Sequence, residues 1–248
     1  MKGFGIFLMA LAIWACREAP KKARPGEAET GPMEEAATEM PEQSAAGEKK
    51  VKSLDGLKDT AFVRLADYSD SFSYDMRYAT DNNFLKAKVY DCAECYTRVK
   101  TARALISANR DFMKKGYRIK FFDCYRPHDV QYKMWDLVPN PQYVADPRKG
   151  SIHNKGGAVD ITLVTLGGKE VDMGTDFDYF GKRAYHDNLD LPESILEHRR
   201  LLKETMEAHG FWSIRTEWWH YNLKAASNDP IANFKWDCIP SSTDHEAS

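Results

Sequence analysis

The stretch "SIHNKGGAVDITLVTL" spans residues 151–166, and its second half points to the kind of fold that carries the chain. Residues 158–166 are rich in β-branched side chains and read as a strand, which Gly167 and Gly168 end in a turn. The first half is different. His153 and Asp160 are seven residues apart, with Gly156 and Gly157 between them. In one continuous strand that odd spacing sends the two side chains to opposite faces. The glycines let the chain turn, so that imidazole and carboxylate can converge at a strand edge, as zinc ligands do. The same letters also describe a surface hairpin with a glycine turn, so the rest of the chain has to decide.

Working outward, "TRVKTARALISANRDFMKKG" (97–116) places Val99, Ala102, Ile106 and Met113 near helical spacing and stops at Gly116. "YRIKFFDCY" (117–125) alternates, with Tyr117, Ile119 and Phe121 on one face, and reads as a strand. Pro127 can open a helix with Val130, Met134 and Leu137 turned inward. A further helix runs from about Glu193 to His209, stopped by Gly210, and "FWSIRTEWWHYN" (211–222) follows as one strand or two short ones. Helices and strands come in blocks, without a regular strand-helix-strand repeat. The expected fold class is therefore α+β, a mostly antiparallel central sheet flanked by helices.

"RTEWWHYN" (215–222) sets two ionisable groups, Glu217 and His220, around Trp218 and Trp219. The plain reading makes the tryptophans core and the polar groups rim. The sharper one joins His220 to His153 and Asp160 as a His-Asp-His set. Three protein ligands leave the fourth zinc position to water, which is the catalytic arrangement. Glu217 then sits close enough to take a proton from that water, whose pKa the metal lowers towards ~7. A perfect strand would point Glu217 and His220 apart, so this reading demands a bend, or a strand starting after Glu217.

The chain has 248 residues and a formal charge of −2, which suits one globular domain with extras and gives no reason to expect nucleic acid as a partner. Residues 1–16, "MKGFGIFLMALAIWAC", carry one early lysine and an apolar run too short to span a bilayer comfortably. They resemble a lipoprotein signal in which Cys16 is acylated, although Trp14 departs from the usual pattern; an ordinary signal peptide is the alternative. Either reading exports the protein. Residues 17–55 are dominated by Ala, Glu, Lys and Pro, too polar to bury a core, and read as a disordered tether to a membrane anchor. The remaining 56–248 form the folded domain. Its cysteines, Cys92, Cys95, Cys124 and Cys238, suggest two disulfides in an oxidising compartment, with three possible pairings.

"SIHNKGGAVDITL" and "EWWHY" together resemble the S-x-H-x-x-G-x-A-x-D and E-x-W-H patterns of the zinc D-Ala-D-Ala peptidases. "YDMRYATDNNF" (74–84), "DCYRP" (123–127) and "GTDFDYF" (174–180) bring the resemblance to the D-alanyl-D-alanine dipeptidases, the VanX-like members of the peptidase M15 family. The resemblance runs from about Tyr74 to Tyr221. It implies a hedgehog-like fold and one zinc on His153, Asp160 and His220. It makes Glu217 the base, Arg126 the oxyanion-stabilising cation, Asp178 the carboxylate that holds the substrate ammonium, and Ser151 a substrate contact. It implies zinc-dependent hydrolysis of D-alanyl-D-alanine or a related dipeptide. A D,D-carboxypeptidase or endopeptidase on cell-wall stem peptides, and a non-catalytic zinc-binding wall-recognition module, are the alternatives. Cys124 departs from the family, whose members often carry glycine there. His128, His186, His198, His209 and His245 are not expected to be ligands.

Overall fold

A computed structural model describes residues 51–238. The expected signal peptide at 1–16 with Cys16, the tether up to residue 50, and His245 lie outside those residues. Within residues 51–55, assigned above to the tether, Leu54 is buried and the Lys52 amide donates to the Asp67 carbonyl at 2.7 Å, while the other four residues are exposed.

The chain forms β1 (Phe62–Arg64), β2 (Ser73–Tyr74), β3 (Tyr96–Arg98), α1 (Val99–Lys114), β4 (Tyr117–Asp123), α2 (His128–Leu137), β5 (Ala158–Thr165), α3 (Glu193–Ala208), β6 (Phe211–Ile214) and β7 (Glu217–Leu223), with short 3-10 turns between them. A five-stranded sheet has the order β2-β4-β5-β7-β6. Only the β2–β4 pair is parallel; the other pairs are antiparallel. β1 and β3 make a separate antiparallel pair. The fold is α+β with a mostly antiparallel sheet, as the block order of elements required.

β5 is the central strand, and all but its last residue are buried. Val159, Ile161 and Leu163 alternate with Ala158, Asp160 and Thr162, so one face is purely apolar and the other carries polar groups. α1 packs on β4 and touches α3, which packs on β6 and β7. The inner side of α1 is Ala102, Leu105, Ala108 and Phe112; Ile106 is only half-buried and Met113 is exposed, a correction to the face expected from spacing. In α2, Val130 and Met134 are buried, but Leu137, at the last turn, points to solvent. Gly116, Gly168 and Gly210 all adopt positive φ at the ends of elements, the conformation that glycine reaches without steric cost.

The two disulfides are Cys92–Cys238 and Cys95–Cys124. The first ties the segment after β7 to the loop before β3. The second joins that loop to the end of β4.

Candidate active site and metal centre

The site is assembled at irregularities in the sheet. β4 pairs Phe121 with Ile161 but Asp123 with Asp160, so Phe122 is bulged. On the other side β5 pairs Asp160 with His220 and Ala158 with Asn222. Asp123, Asp160 and His220 therefore stand in a row across three strands. His153 reaches the row from a single 3-10 turn, His153–Lys155, which Gly156 closes at φ +73°. A Cβ on Gly156 would stand 2.6 Å from the Phe62 ring, and one on Gly157 2.3 Å from the Ala226 methyl. Both glycines are needed: the first for its conformation, the second for close packing.

The parity problem between Glu217 and His220 is resolved by a second bulge. Ser213 faces Tyr221, yet Ile214 faces Glu217, where an unbroken ladder would give it His220. The extra chain in β7 lets Glu217 and Trp219, of one parity, line the same cleft as His220 and Asn222, of the other. Trp218 turns away, its indole N–H donating to Thr175 Oγ1 at 2.7 Å. Trp219 packs edge-on against Phe177 and walls the cleft.

The proposed ligand atoms converge. One atom from each of His153, Asp160 and His220 lies within 4.8 Å of the others. His153 Nε2 is 3.2 Å from His220 Nδ1 and 3.5 Å from Asp160 Oδ1, and His220 Nδ1 is 2.9 Å from Asp160 Oδ1. The outward ring nitrogens are already engaged. His153 Nδ1 donates to the Cys124 carbonyl at 2.7 Å, and His220 Nε2 to Asn222 Oδ1 at 3.0 Å. Each imidazole then presents a bare lone pair inward, beside a carboxylate oxygen. Three acceptors facing one another repel unless a cation stands among them. A proton can play that part: burial opposes the charge, but the hydrogen bond that Nδ1–H then donates to Asp160, with the charge of that carboxylate, outweighs it and lifts His220 to about 8. For Asp160, burial would raise the pKa, but the two imidazoles win and hold it well below the ordinary carboxylate range. Two imidazoles and a carboxylate with fixed outer nitrogens also suit a borderline-soft dication such as zinc.

The other expected residues are brought to the same cleft, which encloses about 290 Å³. Arg126, Ser151, Asp178 and Glu217 all line it. Arg126 is buried and gripped by the Asp123 carboxylate at 2.6 Å and Gln131 Oε1 at 2.9 Å, while its Nε has no partner. Asp178 sits at φ +59°, which Asp tolerates better than most residues, and accepts the Tyr78 hydroxyl at 2.9 Å. Burial pushes its carboxyl well above the ordinary range, with Asp160 and Glu217 adding to the effect. Burial likewise raises Glu217. Ser151 Oγ donates to Asn154 Oδ1 at 3.1 Å.

Residues 58–237 match the family model of peptidase M15, described as D-ala-D-ala dipeptidase. The chain belongs to this family. It is 32% identical over 180 residues to a D-alanyl-D-alanine dipeptidase of Escherichia coli, covering 73% of this chain and 93% of that one. It is 29% identical over 186 residues to a D-alanyl-D-alanine dipeptidase of Enterococcus faecalis, covering 66% and 92%.

In this member of the D-ala-D-ala dipeptidase family, the reading of the sequence missed the residues that hold the site residues in place. Asp123 is fully buried and takes hydrogen bonds from Tyr90, Arg126 and its neighbour's amide. Its only signal was proximity to Arg126 in "DCYRP". Asn222 follows His220 by two, which is the same face of a strand. Tyr78 could not be found without coordinates, because its partner Asp178 is 100 residues away in the chain. None of His128, His186, His198 and His209 lines the cleft. His186 is half-buried, and burial lowers it to about 4.

Proposed function

We propose that the chain is a zinc-dependent dipeptidase that hydrolyses D-alanyl-D-alanine or a related dipeptide with a free N-terminus. The observation that carries this reading is the convergence, in one small cleft, of a three-ligand cation site, an isolated carboxylate and a buried cation. His153, Asp160 and His220 would hold the zinc. When bound, the metal supplies a Lewis acid that polarises the peptide carbonyl and acidifies water. Glu217 takes the proton of the attacking water and delivers it to the leaving amine; its raised pKa suits both halves of that task. Arg126, held rigid by Asp123 and Gln131, lines the cleft and offers its fixed cation to charge growing on the carbonyl oxygen. Asp178 offers its carboxylate to the substrate ammonium, whose positive charge offsets the crowding by Asp160 and Glu217. Ser151 contacts the substrate from the floor of the cleft.

A second reading, a D,D-carboxypeptidase acting on longer peptides, has one observation in its favour. Beyond Glu217 the cleft adjoins a hollow of about 300 Å³ lined by Gln142, Tyr143, Phe180, Tyr185 and Thr216. The N-terminal sequence supports export with a lipid anchor at Cys16, which would place the enzyme beside the cell wall.

The deciding assay offers the zinc-loaded protein free D-Ala-D-Ala, its N-acetylated form and a muramyl pentapeptide, with Glu217→Ala as control. Cleavage of the free dipeptide alone, abolished in the variant, is expected. Glu217-dependent cleavage of the blocked or longer substrates would replace the dipeptidase reading with the carboxypeptidase one. No Glu217-dependent cleavage would defeat both.

A further inference from the structure

We infer that the Cys95–Cys124 disulfide is a positioning element of the metal centre, which sets His153 and Arg126 and so controls how firmly the metal is held. The inference rests on the zinc reading above. Both half-cystines are buried, Cys124 completely. Three features of Cys124 matter together. Its Sγ is fixed covalently to the segment before β3. Its carbonyl accepts from His153 Nδ1 at 2.7 Å, the bond that leaves Nε2 bare and facing Asp160 and His220. Its amide donates to Asp123 Oδ1 at 2.9 Å, on the carboxylate whose other oxygen grips Arg126.

The location explains why a covalent constraint is useful here. The β4–β5 ladder breaks at Phe122, so regular strand pairing does not carry on past Asp123. Residues 124–126 are held instead by scattered bonds: the Tyr125 amide to the Tyr96 carbonyl at 2.9 Å, the Arg126 amide to the His153 carbonyl at 3.1 Å, the Asn154 side-chain amide to the Arg126 carbonyl at 2.9 Å and the Tyr125 hydroxyl to the Phe234 carbonyl at 3.1 Å. Cys95 is anchored in turn, its carbonyl accepting from the Leu65 amide at 2.9 Å. With the bridge closed, the Cys124 peptide plane has little freedom to rotate. With it open, the carbonyl can swing, the His153 tautomer is no longer enforced, and Asp123 loses one of the donors that orient it. The other bridge differs: among the described residues, neither Cys92 nor Cys238 shares a hydrogen bond with His153, Asp160, His220 or Arg126.

The test follows zinc release from the full-length, zinc-loaded protein into a chromophoric chelator, with far-ultraviolet circular dichroism recorded in parallel. Native protein is compared with Cys95→Ala/Cys124→Ala and with Cys92→Ala/Cys238→Ala. Release at least about 10-fold faster is expected in the first variant alone, with its secondary structure retained. A native release rate in that variant, or an equal acceleration in the second, would overturn the inference, since the bridge would then be a general staple.

If the first variant does not fold, the Cys92→Ala/Cys238→Ala protein, whose one bridge among the described residues is Cys95–Cys124, is treated with a water-soluble phosphine. The phosphine gives two electrons to the S–S bond and ends as its oxide, with water supplying the oxygen and the two thiol protons. Zinc loss that tracks thiol appearance while the dichroism persists supports the inference; zinc loss only together with unfolding overturns it. A native protein that takes up no stoichiometric zinc would fell the metal reading itself, a result the release rates cannot mimic.

Discussion

His220 and Asp160 face each other across the β5–β7 ladder, with Nδ1 and Oδ1 2.9 Å apart, and His153 Nε2 completes the triangle from outside the sheet. Because Nδ1 of His220 is the inward atom, a proton and a metal ion compete for it. His220 is raised to about 8, so below that pH the metal-free site holds a proton that zinc must displace. Zinc affinity is expected to fall as pH drops below about 8, by roughly tenfold per unit for one displaced proton. Chelator competition between pH 6 and 9 measures the slope; a flat profile would remove His220 Nδ1 from the ligand set.

Asn222 fixes the other nitrogen of the same ring. Replacing it with leucine keeps the volume but offers no acceptor. A loss of about 10- to 100-fold in zinc affinity is expected, with little change in thermal stability when the metal is absent.

Glu217 carries the proton in the proposed chemistry. Glu217→Gln should retain stoichiometric zinc, seen by elemental analysis, while kcat falls by about 10²- to 10⁴-fold. The raised pKa has a second consequence. The base works ionised, so activity should be present above its pKa and lost as pH falls through it, at a higher pH than for an exposed glutamate. Rates for metal-saturated enzyme across the acid limb test this.

Arg126 should act on the transition state rather than on substrate binding. Arg126→Ala is expected to lower kcat by about 10²- to 10³-fold with a smaller effect on KM. An equal loss confined to KM would make it a binding residue.

Asp178 should distinguish free from blocked substrates. Asp178→Asn, which tolerates the same left-handed backbone, is expected to raise KM for the free dipeptide by roughly tenfold or more, the worth of a charged hydrogen bond. Discrimination against the N-acetylated form should narrow. Unchanged discrimination would assign ammonium recognition to another group.

Much of this was legible in the chain of letters. The block order of helices and strands gave the α+β class because periods of 3.6 and 2 leave different apolar patterns. The residues now found around the cleft were visible as residue types: two histidines, three carboxylates, an arginine and a serine in short motifs. Apart from Ile106, in the middle of α1 and only half-buried, the misplaced apolar residues fell at helix ends. Met113 and Leu137 fit the apolar spacing but are exposed, because in those last turns it is Phe112 and Met134 that face the core. The burial of Leu54 was not legible, because it is a single apolar residue in a polar stretch and its burial depends on contacts made elsewhere.

The sequence by itself determined the three helices and the strands from Tyr117 onward, that Gly156 and Gly157 bend the chain between His153 and Asp160, and which side chains are candidates for the chemistry. Those are local properties, set by steric preference and by residue type. Only the tertiary structure decided that Glu217 and His220 share a cleft, that Cys124 pairs with Cys95, and that Asp123 and Asn222 stand behind Arg126 and His220. A bulge is a mismatch between two strands, and a disulfide or a buried hydrogen bond joins residues far apart in the chain. Neither strand, and neither partner, specifies such a relationship alone.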